Sequence, residues 1–399
     1  MKSSQPLIIT NVAVYAEDGL YEKGFIKVEE GVITKTGHYH ELTSEIKEGA
    51  EVITLTSDIS LIPGFIDIHI HGVDGADTMD ATPEAIYKMA NALPKEGTTS
   101  FLATTITQSH ENIENAIKNV GEYIKQPQKP GVAEVIGIHL EGPFISKKRA
   151  GAQPLEHIIE PNLELFRKWQ TLSNDMIKVV TVAPEEENGL EFIRHLNQSG
   201  VVASIGHSNA TYEEVDRAIE AGASHVTHLF NGMTGLHHRE PGVVGAALIR
   251  DELKVEIIVD GIHVRPEIVD HTYKSKTSDA IILITDSMRA KCLKAGLYDL
   301  GGQEVHVSSD RATLNDGTLA GSILKMGQAL QNFQSFTGCG LEELIKMTST
   351  NPALSLNIFD RKGSLKEGKD ADFVLLDRKL DVMMTYCGGE LAFNRGDHQ

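Results

Sequence analysis

A (β/α)8 TIM-like barrel carrying a small β domain built from both chain ends is the α/β fold this sequence predicts. Three observations lead there. Between residues 61 and 359, apolar β-branched runs alternate with amphipathic stretches, and strands alternating with helices imply a parallel sheet. Residues 1–60 and 360–399 instead read as short alternating strands broken by Gly and Asp. Ionisable residues recur where the apolar runs of the middle region end, the edge at which such barrels keep their chemistry.

The elements follow in order. "PLIITNVAVYA", "GFIKVEEGVITKTG" and "AEVITLTS" open the chain as short strands, and "GSLKEGKDADFVLLD" and "DVMMTYCGGELAF" close it in the same pattern. Eight apolar strands are expected near 64–71, 98–104, 134–140, 177–183, 201–206, 225–230, 254–260 and 280–285. Helical stretches fall between most of them: "TPEAIYKMANALPKEG", "ENIENAIKNVGEYIK", "NLELFRKWQTLS", "LEFIRHLNQSG", "TYEEVDRAIEAG" and "RPEIVDHTYKSK". The Gly-rich stretch 296–321 interrupts after the eighth strand and predicts a small β excursion.

Composition narrows the function. With 37 Lys and Arg against 56 Asp and Glu, the formal charge of −19 argues against nucleic acid and against anionic membrane surfaces as partners. Any anionic substrate then needs a local cationic pocket. No apolar run approaches the ~18 residues of a membrane span, and the N-terminal stretch lacks the apolar segment and cleavage site of a signal peptide. Cys292, Cys339 and Cys387 form no paired pattern, which fits a reducing compartment. These features predict a soluble, cytoplasmic protein.

"LIPGFIDIHIHG" (61–72) carries the first chemical signal. Side chains on a strand alternate faces, so Asp67, His69 and His71 share one face, with i and i+2 about 7 Å apart. That spacing lets two imidazoles converge on one or two metal ions. The other strands end on Glu141, His207, His228, Asp260 with His263, and Asp286. Histidine and carboxylate ligands without a thiolate suit Zn2+ or Fe2+. His139 lies a layer deeper than Glu141 and reads as core. His225 is expected to face away from His228. His110, His157, His195 and His271 fall in helices or their caps and read as solvated.

"PGFIDIHIHG", "GIHLEGPF", "GHSNA", "THLFNGM" and "LITDSM", in that order, resemble the N-acetylglucosamine-6-phosphate deacetylases of the amidohydrolase superfamily. The resemblance implies removal of an acetyl group from N-acetylglucosamine 6-phosphate, with Glu141, His207 and His228 holding the main divalent metal. His69 and His71 imply a second ion, with Glu141 bridging. It further implies Asp286 as general acid/base. Asn231, the Gly232 amide, Arg239 and His263 handle the sugar phosphate, and Leu319, Ala320 and Gly321 line the sugar and acetyl side. The loop after "HLEGP" contributes Ala152 and Gln153, where some members place a His; Gln153 can donate to an oxyanion but carries no charge. A homodimer is implied, with one phosphate-binding group coming across the interface. The alternatives are an amidohydrolase acting on N-acetylgalactosamine 6-phosphate or on a cyclic amide. Cyclic-amide sites that need a carboxylated Lys fit poorly, because strand four ends in Ala-Pro-Glu and Lys178 stands at its start. A scaffold that had lost its activity would show eroded ligands, and all of them are present.

Overall fold

The computed structural model describes residues 5–55 and 58–398; residues 1–4, 56–57 and 399, which the sequence reading assigns to the terminal β domain, lie outside the described residues. Eight parallel strands form the barrel: β1 (Phe65–Ile70), β2 (Thr98–Thr105), β3 (Glu134–Glu141), β4 (Ile177–Val182), β5 (Val202–Ile205), β6 (His225–Val226), β7 (Lys254–Ile258) and β8 (Ile281–Ile284). They pair in sequence order from β1 to β8. Parallel strands covered on both faces read as continuous apolar runs, and β2 and β8 are buried at every position. The seam between β8 and β1 is closed by the Asp286 amide donating to the His69 carbonyl (2.8 Å) and the His71 amide donating to the Ser287 carbonyl (2.9 Å). Asp67 belongs to this seam: its carboxylate accepts from the Thr285 hydroxyl at 2.6 Å. It therefore stitches β1 to β8 beneath the mouth instead of joining the ligand face.

Each strand is followed by a helix: α1 (Pro83–Ala92), α2 (His110–Lys125), α3 (Leu163–Leu172), α4 (Gly189–Gln198), α5 (Tyr212–Ala221), α6 (Gly242–Ile249), α7 (Pro266–Lys276) and α8 (Met326–Thr337). In α2, the Ser109 side chain caps the N-terminus, and Ile113, Ala116, Ile117 and Val120 form the stripe that packs on the barrel. The helix α6 has no such stripe. "GVVGAALI" is apolar almost throughout and largely buried, so it carries no 3.6-residue alternation from which a helix could be read.

Strand β6 is two residues long, not the six expected over 225–230. The chain turns at once so that His228 can reach the mouth, while the His225 ring, low in the barrel, contacts the Ser224 and Ser355 hydroxyls at 2.9 and 2.8 Å. Turn geometry, not alternation, separates the two histidines.

A second sheet gathers both chain ends. Phe373–Leu376 pairs antiparallel with Ser60–Pro63, which pairs with Leu7–Ala16. Ile9, Val12, Val14, Phe373, Leu375 and Tyr386 share its core. Because Ser60–Pro63 leads directly into β1, this sheet anchors the strand that carries His69 and His71. The excursion folds as three short antiparallel strands, Gly296–Leu300, Gln303–Val307 and Ala312–Thr313, over their own small core.

Candidate active site

Glu141, the last residue of β3, is the centre on which the histidines converge. Its Oε1 lies 3.1 Å from His207 Nε2, 3.0 Å from His228 Nε2 and 3.5 Å from His69 Nε2. Its Oε2 lies 3.2 Å from His71 Nε2. Asp286 Oδ1 approaches His71 Nε2 at 3.2 Å and His69 Nε2 at 3.5 Å. All six residues are buried. The carboxylate thus faces His207 and His228 with one oxygen and His71 with the other.

Two facts fit this donor set to a divalent cation. His207 Nδ1 lies 2.9 Å from the Arg149 carbonyl, which can only accept, so Nδ1 carries a proton and Nε2 is the atom turned to the cluster. That Nε2 stands 3.1 Å from both His228 Nε2 and Glu141 Oε1, a nitrogen–nitrogen approach that suits a shared cation. Second, His69 Nε2 is buried with no hydrogen-bond partner among the described residues while aimed at two carboxylates. The protein's own electrostatics make the same demand. Burial opposes charge on His69 and His71, yet Asp286 and Glu141 outweigh it, holding His69 well above its ordinary pKa and pushing His71 up to about 9. Burial likewise raises Glu141, but His69, His207 and His228 overcome it and keep the carboxylate well below its usual range.

Backbone strain aims these side chains. His207, His228 and Asp286 have φ of 46°, 30° and 46°. Non-glycine residues rarely adopt this left-handed region, which costs on the order of 1–3 kcal/mol at each position. Strands β5, β6 and β8 each end in such a turn, which swings the next side chain over the mouth. Gly232 is required here: its φ is 59°, and a Cβ would lie 2.9 Å from His207 Nδ1.

A cavity of about 250 Å3 opens above the cluster. Of the residues singled out from sequence, His71, Glu141, Ala152, Gln153, His207, His228, Asn231, Gly232, His263, Asp286, Leu319 and Gly321 line it. His69 lies beneath, and Ala320 is buried in the core of the excursion. Arg239 is not in the lining; it sits on an exposed loop with its Nη1 2.6 Å from His238 Nε2. His263 is held by Asp260, Nδ1 to Oδ2 at 2.6 Å. Gln153, expected as an oxyanion donor, already spends one amide N–H within the protein. Its amide donates to Glu141 Oε2 at 2.9 Å and its carbonyl accepts from the Thr107 amide at 2.9 Å, so it orients the carboxylate. The sequence reading did not single out Ile106, Gly151, Leu300 and Thr318 in the wall, or Glu256 behind His69. Glu256 leaves one trace, a lone acid within the apolar run "VEIIV".

An α/β barrel with imidazoles and carboxylates gathered at its C-terminal rim defines a metal-dependent enzyme. The amidohydrolase family model matches residues 60–392, and the chain belongs to that family. It is 47% identical over 392 residues to the N-acetylglucosamine-6-phosphate deacetylase of Bacillus subtilis, covering 98% of each chain. It is also 47% identical over 386 residues to the Lysinibacillus sphaericus enzyme of that name, covering 96% of this chain and 97% of the other. Among solved structures, the deacetylase of Thermotoga maritima superposes with a TM-score of 0.86 at 39% identity, covering 97% of this chain and 99% of that one. An Asp-to-Ala variant of the Mycobacterium smegmatis enzyme, in complex with N-acetyl-D-glucosamine-6-phosphate, gives 0.88 at 28% identity, covering 98% and 99%.

Proposed function

We propose that this protein hydrolyses the acetamide of N-acetylglucosamine 6-phosphate, giving acetate and glucosamine 6-phosphate, in amino-sugar catabolism. The observation that carries the reading is the convergence of Glu141, His207, His228 and Asp286 at the floor of one cavity, in a chain so similar to deacetylases of that name.

Glu141, His207 and His228 would hold the principal cation, Zn2+ or Fe2+, and His69 and His71 would hold a second one. When bound, the metal supplies Lewis acidity toward the acetyl carbonyl and the attacking water. The chain's own residues do the rest. Asp286 Oδ1 takes the proton from the water and delivers it to the leaving nitrogen, which departs as an amine. Gln153 and the Thr107 amide keep Glu141 in its orientation. Leu319 and Gly321 close on the sugar and acetyl group. His263, braced by Asp260, the Asn231 side chain and the Gly232 amide receive the phosphate end.

Arg239 supplies the planar cationic fork that phosphate needs on a chain of net charge −19. Its exposed loop lies outside the lining, beside Leu236, which is 58% exposed. This supports a homodimer in which Arg239 serves the partner's cavity. A cytoplasmic setting accords with three unpaired thiols and with the absence, among the described residues, of any helix long and apolar enough to cross a membrane. Acetate release from N-acetylglucosamine 6-phosphate, its galactosamine epimer and unphosphorylated N-acetylglucosamine tests the reading. Turnover of the first well above the others is expected; equal rates with and without phosphate would contradict it.

A further inference from the structure

We infer that Glu256 is a positioning residue for the metal ligand His69, and that the β1 half of the metal centre depends on it. The inference rests on the metal-binding reading above. Glu256 sits in the middle of β7, fully buried among Val255, Ile257 and Ile258. An ionised carboxylate in such a place is costly unless its charge is compensated. Among the described residues no Lys or Arg forms an ion pair with it. Its Oε2 lies 3.0 Å from His69 Nδ1, and its Oε1 has no partner.

The direction of that bond matters. A carboxylate only accepts, so His69 carries a proton on Nδ1, which leaves Nε2 as the atom that would meet an ion at the mouth. There Nε2 lies 3.5 Å from both Glu141 Oε1 and Asp286 Oδ1, with no hydrogen-bond partner. Carboxylate–imidazole pairs of this kind fix the tautomer and orientation of metal ligands and raise their basicity. The four histidines are backed unequally. His207 donates to a neutral backbone carbonyl, and His71 Nδ1 and His228 Nδ1 have no partner among the described residues. His69 alone of the four is backed by a carboxylate.

His139 does not turn this layer into another cation site, although His69, His139 and Glu256 place ligand atoms within 4.8 Å of one another. Its Nδ1 donates to the Ile68 carbonyl at 3.0 Å, and its Nε2 accepts from the Thr181 hydroxyl at 2.8 Å, so both nitrogens are engaged. Glu256 is left with one role, which is to hold His69.

The test is a Zn2+ titration of the metal-stripped full chain against a chromophoric chelator, in the parent, Glu256→Gln, Glu256→Asp and His69→Ala. The parent is expected to bind two ions. Glu256→Gln should weaken the second ion about 10- to 100-fold and leave the first within twofold, matching His69→Ala in pattern. Glu256→Asp, which keeps the charge but shortens the reach, should fall between. Unchanged affinity for both ions in Glu256→Gln would overturn the inference. A parent that takes one ion would overturn the two-ion reading instead. Glu256 would then be judged on that ion, a tenfold loss supporting its role and no change refuting it. Should Glu256→Gln fail to fold, 15N imidazole NMR of the Zn2+-loaded parent decides, with the His69 signal identified by its loss in His69→Ala. A proton on Nδ1 and none on Nε2 is expected; any other protonation pattern would overturn the inference.

Discussion

Two clusters of carboxylates, one buried at the barrel mouth and one half-buried where the barrel meets the β domain, have similar acid content and opposite meaning. At the mouth, Glu141, Asp286 and Glu256 face imidazoles and, at Glu141, the neutral Gln153 amide, with no Lys or Arg paired to them among the described residues. In the other, Glu134, Asp370 and Asp372 place their oxygens within 4.8 Å of one another and would also pass for a cation site. That position is already filled. Lys362 Nζ stands among them, 2.7 Å from Glu134, 3.1 Å from Asp370 and in contact with Asp372. Arg361 adds a two-pronged bond to Glu134 at 2.8 and 2.9 Å. Lys362 and Arg361 offset most of the second cluster's charge and latch the C-terminal segment to β3. Among the described residues the mouth carries no such cation, and its demand for positive charge is what suits it to a metal ion. Acid count does not separate a metal site from an ion-pair latch; the presence of a fixed cation does.

The largest effect tests the mouth as chemistry. Asp286→Asn keeps the shape of the side chain and removes its basicity. General acid/base groups contribute about 10²–10⁴ in rate, so kcat should fall by that order while metal and intact substrate remain bound. Loss of metal in this variant would make Asp286 a ligand first and a proton carrier second.

The next effect belongs to the latch. Lys362→Met leaves Glu134, Asp370 and Asp372 with Arg361 alone, and breaking a buried pair typically costs about 3–5 kcal/mol. Thermal unfolding should show a clear drop in Tm. Added Ca2+ should restore part of it in the variant and leave the parent unmoved. A variant indifferent to Ca2+ would blur the distinction between the clusters.

Arg239→Ala probes the rim. Binding of the phosphorylated sugar should weaken about tenfold or more, as for a charge-assisted hydrogen bond worth about 1.5–3 kcal/mol, while the unphosphorylated sugar is little affected. Equal losses on both would remove Arg239 from phosphate recognition.

The smallest effect is a pH signature near the latch. Glu17 is held down to about 2: burial opposes the shift, but Lys366, Ser364 and Lys369 outweigh it. A depressed carboxylate stabilises the fold above its unfolded pKa, about 4.5, and loses that contribution as pH falls toward 2. Glu17→Gln should therefore cost about 1 kcal/mol at pH 7, allowing for its partial exposure. The gap to the parent should close between pH 4.5 and 2.

Much of the mouth was legible in the sequence because its polar residues sit at the ends of apolar runs, where local pattern and barrel topology together fix their location. His69, Glu141, His207 and Asp286 are all placed that way. What was not legible depends on atoms brought together from far apart. His69 and Glu256 are 187 positions distant, and nothing local to either marks the pair. The commitment of Gln153 to Glu141 needs the Thr107 amide, 46 positions away, to set its orientation. The left-handed turns at His207 and His228 were hidden for another reason: histidine carries no signature of positive φ as glycine does. Helix α6 escaped because a helix buried nearly all round has no polar face to give it a period.

The measurement that bears most directly on the contrast between the clusters is metal content per chain in three proteins purified alike and exchanged into metal-replete buffer: the parent, His207→Ala and Asp370→Asn. His207→Ala should lose the principal ion together with activity, and Asp370→Asn should keep the parent's metal content. Full metal content in His207→Ala, or metal lost from Asp370→Asn, would contradict the account.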